Sequence, residues 1–322
     1  MRLVWQFLAV AAVAYLGGLA TRTFDASPWI TLVIGTLTAV LAVLAYRWVV
    51  GRTERRAVAE VAAKGAFAKT ALGTLIGVAL FAAVIANIAL LGYYEVDGLG
   101  DPTGAVGLLG FMAAAAVTEE LMFRGILFRI TEQRTGTWIA LALTGLLFGG
   151  AHLLNPNATL WGAVAIAVEA GGMLGAAYIA TRNLWLPIGL HFGWNIAGSA
   201  LFSTEVSGAG TPQGVLDAAM EGPSAITGGG FGPEGSVYSV VFGAVMTLVF
   251  LWIAKRRGRL VPLPRRADRP AKGDRKTRVH WVDPADRPRI APDANGPNDT
   301  TPNGTAAGDT TTRSGPTARL PR

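Results

Sequence analysis

The sequence predicts an all-α, polytopic membrane bundle of about eight spanning helices with a disordered C-terminal tail. Three observations carry that expectation. Of the 322 residues, 51% are hydrophobic and only 15% charged, against about 25% charged in a soluble domain, so too few charges are present to coat a soluble globule of this length. Eight apolar runs recur, each close to the ~20 residues that cross a bilayer core. Lys and Arg also appear in alternate loops, in step with those runs.

The runs fall at residues 3–20, 29–50, 70–91, 104–124, 138–154, 160–180, 184–202 and 237–254. The first has the size of the apolar region of a secretory signal peptide, but further spans follow it at once and nothing resembles a secreted domain. Arg52, Arg55, Arg56, Lys64 and Lys69 separate runs two and three. Arg124, Arg129 and Arg134 follow run four, Arg182 follows run six, and Lys255, Arg256, Arg257 and Arg259 follow run eight. The opposite loops hold only Arg22, together with Asp25, Glu95, Asp97, Asp101, Glu205, Asp217, Glu221 and Glu234. A wrong number of spans spoils this alternation. It therefore predicts a multi-pass protein of the cell membrane with both termini cytoplasmic. The preference for Arg over Lys, with abundant Ala and Gly, suggests a bacterial source.

Residues 51–69 are Ala-rich and basic. They read as a charged cytoplasmic connector, the alternative being an interfacial helix lying on anionic headgroups. The spanning domain is expected over 1–260, with the motif-bearing core at 104–203. Residues 261–322 turn Pro- and Arg-rich and then Thr-, Asn-, Gly- and Asp-rich. Hydrophobic residues are sparse there, so a disordered cytoplasmic tail is expected, with His280 in it and outside the chemistry. Its basic start lacks any nucleic-acid-binding motif, so the expected partners are the lipid bilayer and a peptide or protein substrate, with no nucleic acid. Cysteine is absent, which excludes a disulfide framework, a thiolate nucleophile and a Cys-based zinc site.

An ionisable residue within a spanning helix costs about 2.5–3.5 kcal/mol on insertion scales. This chain carries Glu119, Glu120, His152, Glu169 and His191 in or beside its spans, including two of its three histidines. Glu120 and Arg124 are four residues apart and share a helix face, so they are expected to pair. Glu119 points about 100° away. Left without that partner in an apolar setting, it suits the role of a general base for water. The bland alternative is that both glutamates pair with arginines and lock helices together. His152 closes the run Phe148-Gly149-Gly150-Ala151-His152 on the fifth span. His191 and Asn195, again four apart, share a face of the seventh. An imidazole and a carboxamide so placed can donate hydrogen bonds to a developing oxyanion, or take part in metal binding. Taken singly, a helix histidine is as readily a packing residue; two with a carboxylate pair on three apolar helices are not.

The order Glu119-Glu120-x-x-x-Arg124, Phe148-x-x-x-His152, His191-x-x-x-Asn195, with the lead-in Leu184-Trp185-Leu186-Pro187, resembles the three-motif signature of the CPBP family. That family comprises the type II CAAX prenyl proteases and the bacteriocin-processing, Abi-like membrane proteins. The resemblance covers residues 104–203, with no departure at the motif positions. Glu169 is not part of it and its role stays open. The resemblance implies an intramembrane endopeptidase in which Glu119, with His152, activates water. His191 and Asn195 would then stabilise the oxyanion, with Glu120 beside them and Arg124 and Phe148 in support. Members are described both as metalloproteases and as metal-independent glutamate proteases. Glu119, His152 and His191 are the candidates for holding a divalent ion such as zinc, but no H-E-x-x-H motif is present. The rival classes are an ion-coupled transporter and a non-catalytic scaffold or immunity protein.

Simple span boundaries leave a tension of depth. Glu119 falls toward the cytoplasmic end of run four and His152 toward the outer end of run five, a mismatch of about 10 Å or more at 1.5 Å per residue. A fourth helix that continues through Arg129 to about Arg134 removes it, and that longer helix is expected.

Overall fold

The computed structural model describes residues 1–24, 27–211 and 214–263. The expected tail, with His280, lies outside the described residues beyond its first three positions. Helices α1 (Arg2–Thr23), α2 (Pro28–Glu54) and α3 (Ala66–Leu90) come first, followed by strand β1 (Tyr94–Leu99). Helix α4 (Pro102–Glu120) runs through a π-helical stretch, Leu121–Phe128, into α5 (Arg129–Ala151). Helix α6 (Leu160–Ile166) continues through a second π stretch, Ala167–Gly172, into α7 (Met173–Thr181). Helix α8 (Trp185–Ile196) ends in a third, Ala197–Leu201. Strand β2 (Leu216–Met220), the short α9 (Ser224–Thr227) and α10 (Val237–Arg256) complete the order.

Six segments among the described residues are long and apolar enough to cross a membrane. One of them, Pro102–Leu154, has 53 residues, a straight length of about 80 Å against a bilayer core of about 30 Å. It is two crossings. Gly136, at φ 76° and ψ 172°, breaks the helix, and only glycine adopts that backbone without strain. Phe123 and Phe148, almost equally far from the break on either side, meet with ring centroids 4.9 Å apart, so the limbs fold back as a hairpin. The seventh run becomes α8 with its π turn, shorter than the six segments and largely buried. The architecture is the all-α membrane bundle that the runs predict.

Local chemistry sets the boundaries. Asp101 caps α4 by accepting from the Thr103 N–H, ahead of Pro102 in the first turn. Thr159 caps α6 and Ser236 caps α10 in the same way, each satisfying an orphan amide. Inside a bilayer, helices gain little from burying apolar area against one another, so close backbone approach replaces it. Gly73 and Gly77 on α3 face Gly189 and Gly193 on α8, where an added Cβ would collide with backbone atoms of the facing helix. This double G-x-x-x-G seam fixes the helix that bears His191 and Asn195.

The two ends of the bundle differ in charge. At one end, the Leu184 N–H donates to the Glu60 carbonyl, Trp185 Nε1 to that of Ala62, and Arg257 to that of Ala180. Exposed Arg55, Lys64, Arg134 and Lys255 lie at this end. At the other, β1 pairs antiparallel with β2, the Asn157 N–H donates to Gly208, and the Gly208 N–H to Phe231. Exposed Glu95, Asp97, Asp101, Asp217 and Glu221 lie there.

Residues 51–69 link α2 to α3 as a charged connector and form no separate interfacial helix. Arg55 in the left-handed region stops α2, and the chain folds back so that Glu60 is buried, held bidentately by Arg56 at 2.8 and 2.6 Å and by the Tyr46 hydroxyl at 2.7 Å. Burial pushes the Glu60 carboxyl up, but the hydrogen bonds and charge of Arg56, with the charge of Arg129, hold it below its ordinary value. Arg124 and Arg129 lie within the longer fourth helix, as expected. Both are buried, Arg124 against Glu120 and Arg129 against Glu54, because helix continues through both positions and a buried guanidinium needs a carboxylate partner.

Candidate active site

Glu119 lies near the midpoint between Pro102 and Gly136, as the longer fourth helix requires. Glu119 and His152 stand almost equally far from the Gly136 break, so the two reach similar depth and the expected mismatch disappears. Glu119, His152, His191 and Asn195 line one cleft of about 290 Å³. Its remaining wall is apolar, from Phe111, Met112, Ala115 and Met122, under a roof that includes Asn155 and Ser207.

The adjacent glutamates occupy different environments. Glu119 keeps 28% of its side chain exposed in the cleft, whereas Glu120 is fully buried. Glu120 Oε1 accepts from Arg124 Nη1 at 2.6 Å and lies 3.1 Å from His191 Nδ1. With His191 Nδ1 engaged by Glu120, its Nε2 turns toward Glu119, 3.9 Å from the Oε2 of that residue. His191 thus stands between the two carboxylates, and the pair is divided into one that anchors and one that faces the cleft.

Phe148 is the spacer of this arrangement. Its ring is buried with the Arg124 guanidinium 4.4 Å from its centroid, the His152 ring at 4.8 Å and the His191 ring at 6.0 Å. Arg124 also donates to the Ala170 carbonyl at 2.8 Å, which ties the fourth crossing to the sixth. His152 Nδ1 lies 2.8 Å from the Phe148 carbonyl. A carbonyl can only accept, so His152 carries its proton on Nδ1 and Nε2 is left as the basic nitrogen.

Among the described residues, no three His, Asp or Glu side chains are grouped closely enough to hold one metal ion. Glu119 and His191 approach each other at 3.9 Å, without a third such side chain grouped with them. The placed side chains do not form the three-ligand set suggested for Glu119, His152 and His191, and no step below is routed through a metal.

Two carboxyls lie behind the cleft. Glu169, in the Ala167–Gly172 π stretch, is fully buried with no hydrogen-bond partner for either oxygen. Glu234, expected to be a loop acid, is buried instead. Its Oε1 accepts from Trp194 Nε1 at 2.9 Å and its Oε2 from the Ser207 hydroxyl at 2.6 Å. Burial raises its carboxyl above the ordinary value, opposed by Ser207, His152 and Trp194. Both carboxyls line a chamber of about 10 Å³, shared with His152, His191 and Asn195, room for about one water. The sequence signal for Glu234 is weak: an acid directly after the turn-forming run Gly228-Gly229-Gly230-Phe231-Gly232-Pro233, shortly before an apolar span.

Residues 101–197 match the sequence model of a family described as type II CAAX prenyl endopeptidase Rce1-like. This segment is Rce1-like. The match supports a CPBP-family intramembrane protease, and the Rce1-like segment holds every motif residue from Glu119 to Asn195. The roof residue Ser207 and its partner Glu234 lie beyond it. No curated protein and no solved structure matches the chain.

Proposed function

We propose that the chain is an intramembrane endopeptidase that hydrolyses a peptide bond of a membrane-associated protein or peptide, with Glu119 as the base for water. The observation that supports it is the convergence of Glu119, His152, His191 and Asn195, from three crossings, on one cleft. Water held by the unprotonated Nε2 of His152 loses a proton to Glu119 as its oxygen bonds to the scissile carbonyl carbon. His191, as an imidazolium whose Nδ1–H is given to Glu120, donates from Nε2 to the oxyanion, and Asn195 donates from its amide. The tetrahedral intermediate collapses, the C–N bond breaks, and Glu119 returns its proton to the departing amine. Glu120, Arg124 and Phe148 position His191 and His152 without touching the substrate. The protein is a multi-pass protein of the cell membrane with both termini on the cytoplasmic side.

The test compares peptide ends in the membrane fraction of cells making the wild type with those of cells making Glu119→Gln. The substitution keeps shape and removes the base, which is worth about 10²–10⁴ in rate. Fragments present only with the wild type support the proposal. Identical fragment sets in both, at equal protein level, defeat it and leave the scaffold reading.

A further inference from the structure

We infer that the cleft opens toward the extracytoplasmic face, so the peptide it takes is an apolar segment presented from the outer half of the bilayer. This rests on the proteolytic reading for its substrate and on the fold alone for its direction.

Three observations place the mouth. On α4 the lining starts near Glu119 and extends two turns toward Pro102, through Ala115 to Met112 and Phe111. Pro102 belongs to the acid-bearing end. The roof comes from Asn155, Val206, Ser207 and Ala209, on connections that cover the catalytic groups from that side, with Ala209 exposed. In the opposite direction the site has a floor. Below Glu119 lie the Glu120–Arg124 pair, then buried Phe128 and Tyr178 with rings 5.7 Å apart, then the buried Glu132–Arg182 pair. A substrate held at the basic end would meet that floor.

The sides follow from charge. Exposed Arg55, Lys64, Arg134, Lys255, Arg256 and Arg257 gather at the end away from the mouth, and exposed acids at the mouth's end. Basic residues in short loops remain cytoplasmic. Hairpin geometry gives the opening its depth. The limb after Gly136 ends at Leu154, about 27 Å of helix, whereas α4 with its π stretch is much longer. The connection to α6 therefore lies at the depth of the catalytic groups, and only the 203–211 loop covers them. The apolar wall of Phe111, Met112 and Met122 suits a hydrophobic peptide and gives no site for a charged one.

The chain has no cysteine, so single thiols can be read without background. Ala209→Cys on the roof, Ala115→Cys one turn above Glu119 and Lys64→Cys at the basic end are each treated in intact cells with a small membrane-impermeant thiosulfonate. Residues 209 and 115 are expected to react from outside, and residue 64 only after the membranes are opened. Reaction of 209 and 115 from the inside alone overturns the inference. A single-span reporter with different tags on its two ends then reads the cut. Release of the outward tag by the wild type but not by Glu119→Gln supports it, and release of the inward tag alone overturns it. If no Glu119-dependent fragment appears while 209 and 115 label from outside, proteolysis fails and the direction of opening stands.

Discussion

Glu119 and Glu120 are neighbours in the chain, yet helix geometry sends one into a cleft and the other into a buried contact with Arg124 and His191. Breaking that contact leaves a buried charge without its partner, a loss of about 3–5 kcal/mol. Arg124→Ala should lower thermal stability in detergent by an amount of that order and disturb His191, while Glu119→Gln, in a partly exposed position, should leave stability almost unchanged. Phe148→Ala removes the ring that spaces Arg124, His152 and His191. It should cost about 3–5 kcal/mol and lower cleavage even where folded protein is recovered, which activity per folded molecule measures. Away from the site, Glu60 supplies a pH test. Its carboxyl is held below the ordinary value, so its contribution is complete above the unfolded value of about 4.3 and is lost as pH falls through the lower folded value. Glu60→Gln should flatten the acid limb of a stability–pH curve. At this scale the motif residues were legible because i,i+4 spacing fixes a shared face. Glu234 was not, because its burial comes from a Gly- and Pro-rich loop whose path no periodicity reports.

Helices set where those side chains stand. Each of the three π stretches adjoins a singular residue: Leu121–Phe128 follows Glu120, Ala167–Gly172 contains Glu169, and Ala197–Leu201 follows shortly after Asn195. A π turn adds a residue and shifts the phase of the helix, a device frequent at functional sites. An apolar run read with a period of 3.6 cannot reveal it, which is why the spans were legible and their internal irregularities were not. The end of the fourth crossing near Arg134 was legible from the depth that Glu119 must share with His152, and the break falls at Gly136; the burial of Arg124 and Arg129 was not, because buried guanidinium groups and exposed ones have the same spelling. The double glycine seam gives the prediction at this scale. Gly193→Val brings a branched side chain against the backbone of Thr74 and should push α8 from α3. Cleavage should fall sharply, whereas valine at Gly18 on α1, which meets nothing within reach, should leave activity unchanged. An assay of both variants at matched membrane levels separates seam packing from a general intolerance of glycine replacement.

The whole molecule divides into a seam-packed scaffold with a basic, tightly paired end and an acid-bearing end whose connections roof the cleft. The alternation of charge along the chain agrees with the basic and acid-bearing ends of the fold. The roof residues Ser207 and Ala209, with Glu234 behind them, lie outside the Rce1-like segment and were not legible. The account as a whole stands on hydrolysis at Glu119. The purified protein in lipid vesicles, given a hydrophobic peptide in water enriched in heavy oxygen, should release fragments with one heavy oxygen in each new carboxyl terminus. Glu119→Gln should slow that release at least about a hundredfold. Labelled fragments formed at the same rate by both proteins would contradict the account.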